Sequence, residues 1–289
     1  MKIIHDIIKR TITVSMPGYV GKALRRFKVP VPHHIVHSPA YCPPIVYAKA
    51  QLVDVPDTTD PLTSAEITHV QQVIGVFLFY ARCIDPTIST VLNKLSKQLS
   101  SPTKRLLQRL DHLLAYMACH PNAEVVFKAS DMQLCIHSDA SYLSEPESKS
   151  RAGGIQWLGS ELPYNGAIDI LTTTIKAVVS SASEAEYGAA FLNATHALPA
   201  IRTLEFFNFP QFQVPITMDN STAHGIVTGS MKPRRSKAMD MRFHWLKDRE
   251  AQKQFKFIWD KGSNNLADYF TKILSTKEYV ARRHIYVNN

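Results

Sequence analysis

The feature that most restricts the fold is a change of hydrophobic period after Pro121. Upstream of it, apolar residues recur every three or four positions, as on one face of a helix. Downstream, short runs rich in Val, Ile and Thr are separated by helical stretches; after a first short strand at 125–128 the order is βββ-α-β-α-(α)-β-α. Because this order mixes a meander with crossover connections, it predicts a mixed α/β sheet covered by helices.

Turn residues and apolar runs give the individual boundaries. Strands are predicted at residues 125–128, 132–137, 154–158, 167–176, 214–218 and 255–259. Helices are predicted from 181 to about 197, over 201–207, from 220, over 236–251 and, as the closing helix, from 265.

The first 122 residues carry a different pattern. A short strand at 10–14 and a basic helix precede a proline-dense stretch between 29 and 60, which is typical of an extended linker. Three amphipathic helices follow. Thr63 and Glu66 have the spacing of a capping box. Asp85-Pro86 and Ser101-Pro102, each a capping residue followed by proline, are typical helix starts. We therefore predict an N-terminal strand, helix and linker (1–60), a helical subdomain (61–122) and an α/β domain (123–289).

The charge balance favours an acidic partner. With 33 basic and 24 acidic residues the net charge is +9, and nucleic acid is the commonest acidic polymer that such a chain binds. The four cysteines form no C-x-x-C pair, which fits free thiols in a reducing compartment better than disulfides or zinc. No run of 18 apolar residues and no secretory cleavage site is present, so we expect an intracellular protein, cytoplasmic or nuclear, with no membrane partner.

Four carboxylates fall where the predicted strands end or the predicted helices begin. Asp139 and Asp219 follow apolar strands, Glu186 lies in the first turns of a helix, and Asp268 opens the closing helix. Sites in open α/β sheets form at such positions, and a cluster of hard oxygen ligands suits Mg²⁺ or Mn²⁺. A pair of ions about 3.5–4 Å apart would activate a water and stabilise the departing oxygen of a phosphodiester. Taken singly, each residue also has a structural explanation as a turn or helix-cap residue.

The strings around these carboxylates resemble the ribonuclease H domain of copia-type retrotransposon polyproteins. They are Ser-Asp-Ala-Ser-Tyr at 138–142, Ser-Arg-Ala-Gly-Gly at 150–154, Ser-Glu-Ala-Glu-Tyr at 183–187, Met-Asp-Asn-Ser-Thr-Ala at 218–223, Lys-Ala-Met-Asp-Met-Arg-Phe-His at 237–244 and Leu-Ala-Asp-Tyr-Phe-Thr-Lys at 266–272. More loosely, residues 70–118 resemble the segment that joins polymerase to nuclease, and 11–19 resemble the end of the palm and start of the thumb.

This resemblance implies a ribonuclease H-like five-stranded sheet and an endonuclease that cuts the RNA strand of RNA–DNA hybrids. It implies two Mg²⁺ ions, with Mn²⁺ as a substitute, bound by Asp139, Glu186, Asp219 and Asp268. Glu186 is preferred to Glu184 because the family's glutamate precedes a hydrophobic residue, and Tyr187 fills that place.

Two departures from the family pattern bear on function. The polymerase motif Tyr-x-Asp-Asp is not in this chain, so no polymerase activity is expected from it alone, and a separate reverse transcriptase polymerase domain becomes a candidate partner. The loop at 260–265 also lacks the histidine that many ribonucleases H carry there.

A basic cluster is the candidate contact to nucleic acid. It consists of Lys232, Arg234, Arg235, Lys237 and Arg242, which would attract a phosphate backbone, although a solvated basic loop has the same composition. Two alternatives to the nuclease remain open: a catalytically inactive nucleic-acid-binding or scaffold protein with the same fold, and an integrase-like nuclease. Integrases lack the Ser-Glu-Ala-Glu-Tyr helix found here.

Overall fold

The structure, a computed structural model, describes residues 1–41, 57–231 and 241–288. They form two compact units. The helical unit comprises Met1–His5, Ile12–Val126 and the segment that begins at Ile273, and the α/β unit comprises Asp6–Thr11 and Phe127–Lys272. The three-part division predicted from the sequence stays a prediction. Among the residues that the structure describes, no helix combines the length and the apolar composition that crossing a membrane requires.

The elements are given in chain order. The strands are β1 (Lys2–Asp6), β2 (Thr11–Ser15), β3 (Glu124–Lys128), β4 (Leu134–Glu145), β5 (Lys149–Leu158), β6 (Ala167–Ile175), β7 (Val214–Met218) and β8 (Phe255–Trp259). The helices are α1 (Tyr19–Arg26), α2 (Ser64–Cys83), α3 (Ser89–Gln98), α4 (Lys104–Cys119), α5 (Ala182–Phe206), α6 (Ser221–Val227), α7 (Met241–Ala251) and α8 (Thr276–Tyr286).

Helix α2 begins with the capping box that the sequence predicts. The Thr63 hydroxyl accepts the Glu66 N–H, and the Glu66 carboxylate accepts the Thr63 N–H at 2.9 Å. This capping box satisfies backbone groups that have no partner within the helix. Strands β1, β2 and β3 form a three-stranded sheet in that order.

A buried ion pair joins the 3-10 turn before α3 (Pro86–Ile88), whose N-cap is Asp85, to α8 in the helical unit. Asp85 Oδ2 accepts from Arg283 Nη2 at 2.9 Å, and both side chains are almost fully enclosed. The Tyr279 hydroxyl donates to Thr87 Oγ1 at 2.8 Å beside this pair. A charge pair removed from water in this way holds its partners strongly, because loss of one leaves the other charge uncompensated.

The α/β unit is built on a five-stranded sheet in the order β6-β5-β4-β7-β8. Strand β4 is antiparallel to β5 and parallel to β7; β5 is antiparallel to β6, and β7 is parallel to β8. The predicted mixed sheet is confirmed, and β7 and β8 have the predicted bounds. One side of the sheet packs on α5, whose Ala190, Ala194 and Ala197 lie in the core.

The prediction that strand 132–137 ends before Asp139 is wrong. Strand β4 runs through Asp139 to Glu145, and Asp139 lies opposite Gly153 of β5. The polar run after Ile136 resembles a turn, but antiparallel pairing with β5 supplies the hydrogen bonds that keep it extended.

Helix α5 also differs from the sequence prediction, which has two helical stretches here. It is one helix of 25 residues with Pro199 inside it. Ala194 and Ala197 before the proline and Ile201 and Leu204 after it are buried in one cluster. Packing on both sides therefore outweighs the missing backbone donor of proline.

The predicted closing helix from Asn265 is also wrong. Leu266–Phe270 is a short 3-10 helix with Asn265 at its N-cap, and α8 begins at Thr276 with a capping box between Ser275 and Glu278. The 3-10 segment is mostly buried against the sheet, so tertiary packing fixes its conformation. The predicted start of the 236–251 helix lies outside the described residues.

Candidate metal centre

Parallel strands β4 and β7 bring Asp139 and Asp219 to the same edge of the sheet. His137 pairs with Thr217 in the parallel register, and two further places along each chain lead to Asp139 and Asp219. Asp219 follows the last residue of β7, whereas β4 continues past that point. The two carboxylates therefore lie side by side where β7 ends.

Helix α5 supplies the third carboxylate. Its N-cap Ser181 accepts the Glu184 N–H, and Glu186 follows in the first turns, with 5% of its surface exposed. Glu186 Oε1 accepts the Ala140 N–H at 3.2 Å, while its buried Oε2 has no hydrogen-bond partner. The Glu184 carboxylate instead accepts the Ser180 N–H and hydroxyl at 2.6 and 2.7 Å.

These three side chains form one cluster. Asp139, Glu186 and Asp219 each offer an oxygen, and these oxygens lie within 4.8 Å of one another. Asp268 lies outside this group; its Oδ1 forms an ion pair with Lys272 Nζ. The structure thus brings three of the four predicted ligands together and leaves the fourth beside them, bound to a lysine.

Burial and mutual repulsion raise the pKa values of the cluster. The pKa of Asp139 rises from 3.8 to about 6, first because of burial and then because of the charge of Asp268. Burial also raises the pKa of Glu186 well above its usual value, with the Asp139 charge adding to it. The pKa of Asp219 is raised by the same two causes, burial and the Asp268 charge. Ionisation of each of these carboxyls is therefore less favourable than in water, and a positive charge beside them would favour it.

Thr271 holds Asp139 in place, and the sequence reasoning missed it. Its hydroxyl donates to Asp139 Oδ2 at 2.5 Å and lies 3.2 Å from the Asp268 carbonyl oxygen. Its methyl group lies over Gly153, where an added Cβ would come within 2.5 Å of Thr271 Cγ2 and 2.8 Å of the Ala267 carbonyl oxygen. The Leu-Ala-Asp-Tyr-Phe-Thr-Lys string contained Thr271, but no local pattern distinguished it from a surface threonine.

Two further contacts attach the 3-10 segment to β4. Asn265 Nδ2 donates to the Ser138 carbonyl oxygen at 2.9 Å, and the Leu266 N–H donates to His137 Nδ1 at 3.1 Å. Burial lowers the pKa of His137 to about 4, so the ring is neutral near pH 7. The bond from the Leu266 N–H then requires the tautomer in which Nδ1 carries no proton. These contacts fix the segment that carries Asp268 next to Asp139.

Most of the predicted nucleic-acid contacts lie outside the described residues. Lys232, Arg234, Arg235 and Lys237 fall in the stretch that the structure does not describe. Arg242 lies in the first turn of α7 and is half-buried. All five remain a prediction.

Curated relatives of this chain include two retrotransposon polyproteins. It is 24% identical over 287 residues to the retrovirus-related Pol polyprotein from transposon TNT 1-94 of Nicotiana tabacum. The matched region covers 96% of this chain and 20% of that protein. It is 25% identical over 244 residues to the corresponding polyprotein from transposon RE1 of Arabidopsis thaliana, covering 83% of this chain and 16% of that protein. The resemblance to copia-type polyproteins is therefore confirmed, and the chain spans a fifth or less of their length. No family model matches the chain.

Solved structures similar to this chain include ribonucleases H1. LC11-RNase H1 from compost has a TM-score of 0.35 and 14% identity, with 52% of this chain and 97% of that chain covered. The enzyme of Halobacterium salinarum has a TM-score of 0.34 and 14% identity, with 48% and 94% covered. The LC11 enzyme was also solved in complex with an RNA/DNA hybrid, at a TM-score of 0.35 and 14% identity, with 48% and 94% covered. The strand order β6-β5-β4-β7-β8 and the mixed sheet of this chain define its ribonuclease H-like fold.

Proposed function

We propose that this chain is an endonuclease that hydrolyses the RNA strand of RNA–DNA hybrids, as part of a retrotransposon reverse transcriptase. One observation carries the proposal: carboxylates from β4, from α5 and from the end of β7, far apart in the sequence, lie within 4.8 Å of one another. A cap or turn function for each residue alone does not account for their meeting at one buried point.

The donor set fits hard divalent cations. Carboxylate oxygens are the ligands of Mg²⁺ and Mn²⁺, and Glu186 Oε2 is buried with no hydrogen-bond donor. A buried carboxylate without a partner is costly, so such an oxygen favours a cation beside it. We propose that Asp139, Glu186, Asp219 and Asp268 hold two Mg²⁺ ions, for which Mn²⁺ can substitute. When bound, these ions would activate water and stabilise the departing oxygen of a phosphodiester.

The residues around the cluster prepare it for this role. Thr271 engages one oxygen of Asp139, so the carboxylate has a fixed orientation and its other oxygen remains available. The Ala140 N–H fixes Glu186 in the same way. Preorganised ligands lower the cost of binding a cation, because little side-chain freedom is lost when it arrives.

The substrate class follows from the charge of the chain and from its relatives. A net charge of +9 favours a phosphate backbone, and the relatives are Pol polyproteins of transposons. We propose that Lys232, Arg234, Arg235, Lys237 and Arg242 contact that backbone. Recognition of a hybrid rests on groove shape and 2′-hydroxyls, so no sequence preference is expected. A reverse transcriptase polymerase domain is the proposed protein partner.

A cleavage assay tests the proposal. The purified chain is incubated with end-labelled RNA–DNA hybrid, RNA duplex and DNA duplex, with Mg²⁺ or with EDTA. We expect cleavage of the RNA strand of the hybrid alone, dependent on Mg²⁺, abolished in Asp139→Asn and retained in Asp248→Asn, whose exposed carboxylate lies on α7. Binding of the hybrid without any cleavage would refute the nuclease and support an inactive nucleic-acid-binding protein.

A further inference from the structure

Lys272 places an ammonium group beside the carboxylate cluster. Its Nζ forms an ion pair with Asp268 Oδ1 four residues earlier in the chain. The Asp268 side chain is 14% exposed, whereas the Lys272 side chain is 52% exposed. An enclosed carboxylate therefore holds an ammonium whose flexible stem can turn into solvent without unfolding the site.

Asp268, held in this ion pair, lies next to the other three carboxylates but is not part of their cluster. Asp268 is not among the residues whose oxygens meet within 4.8 Å. Thr271 nevertheless links Asp268 to the cluster, since its hydroxyl donates to Asp139 Oδ2 and lies 3.2 Å from the Asp268 carbonyl oxygen. The Lys272 ammonium is therefore held next to the cluster, on the Asp268 side.

On the basis of the function proposed above, we propose that Lys272 is a resident counter-ion that competes with the second metal ion. In the metal-free protein it holds Asp268, so one divalent cation binds first at Asp139, Glu186 and Asp219. A second cation binds only when the Lys272 ammonium leaves Asp268. The two ions are therefore bound with unequal affinity, and the inequality is set by a side chain that ligates neither.

Removal of the ammonium should strengthen the second site. A unit positive charge a few ångströms from a divalent ion is strongly repulsive, and half-exposure of Lys272 reduces the effect without abolishing it. We expect the dissociation constant of the second ion to fall by about tenfold in Lys272→Met, and that of the first ion to fall by less. Lys272→Arg keeps the charge and should behave like the wild type.

Titration of the metal-free 289-residue chain with Mn²⁺ tests this inference. Calorimetry gives the heat of binding, and the electron paramagnetic resonance signal of free Mn²⁺ gives the number of ions bound. Lys256→Met is the matched control, since Lys256 is exposed on β8 opposite Pro215, away from the strand end next to Asp219. It should leave both binding steps unchanged.

The outcomes separate this inference from the proposed function. If the wild type binds Mn²⁺ and Lys272→Met leaves the second step unchanged or weakens it, Lys272 is not a competitor and only this inference fails. If the wild type binds no Mn²⁺, the metal centre and the inference fail together. Lys272→Gln, checked by circular dichroism, replaces the methionine variant if that variant does not fold.

Discussion

Replacement of Asp139 by asparagine should stabilise the metal-free protein at neutral pH, although it removes a proposed ligand. The pKa of Asp139 is raised from 3.8 to about 6, mainly by burial. A raised pKa means that the carboxyl favours folding while it is protonated, below about pH 4, and that this contribution is lost as the pH rises through about 6. Above that pH the folded state bears the full cost of the buried charge.

The size of the stability difference follows from the pKa shift of Asp139. A change of about two pKa units corresponds to about 3 kcal/mol of unfolding free energy, reached between about pH 4 and pH 6. Asparagine carries no such cost and can still accept the Thr271 hydroxyl with its amide oxygen. In EDTA at pH 7.5, Asp139→Asn should therefore be more stable than the wild type by up to about 3 kcal/mol, and the two should converge near pH 4.

Urea denaturation followed by tryptophan fluorescence measures this difference. All three tryptophans, Trp157, Trp245 and Trp259, lie in the α/β unit, so the signal reports the unit that holds the site. Addition of Mg²⁺ should stabilise the wild type and not the variant. A variant that is less stable than the wild type at pH 7.5 in EDTA, or a difference that does not change with pH, would refute the reasoning. Asp248→Asn, at an exposed carboxylate, should show neither effect.

Three further predictions concern other contacts. Thr271→Val removes the hydroxyl that donates to Asp139 and should weaken Mn²⁺ binding by about tenfold, measured by calorimetry. Thr271→Ser keeps the hydroxyl and should bind Mn²⁺ like the wild type. Equal binding by the two variants would contradict a positioning role for Thr271. Asp85→Ala leaves a buried guanidinium uncompensated and should lower the unfolding free energy by about 3–5 kcal/mol in urea denaturation monitored by circular dichroism; a loss below about 1 kcal/mol would contradict the buried ion pair. The double variant Arg234→Ala, Arg235→Ala should weaken hybrid binding and reduce the slope of log K against log salt by up to about 2, measured by fluorescence anisotropy; an unchanged slope would argue against phosphate contact.

Much of the architecture was determined by local sequence. The bounds of β7 and β8 and the capping box of α2 follow from periodicity and from residues within one turn of each boundary. Such signals depend on neighbours in the chain, so a sequence carries them without knowledge of the fold. The choice of Asp139, Glu186 and Asp219 came from motif resemblance, and the geometry of their meeting came from the structure.

Tertiary structure alone decided the features that depend on remote partners. Pairing with β5 extends β4 through Asp139, a continuous buried face carries α5 across Pro199, and packing on the sheet gives Asp268 a 3-10 segment in place of a long helix. The contacts that Thr271 and Lys272 make with the carboxylates also became visible only in space. Thr271 reaches an oxygen 132 residues away in the sequence, and Lys272 acts on a cluster assembled from distant strands. Hydrogen bonds and Coulomb forces depend on distance in space, and a linear pattern does not record that distance for residues so far apart.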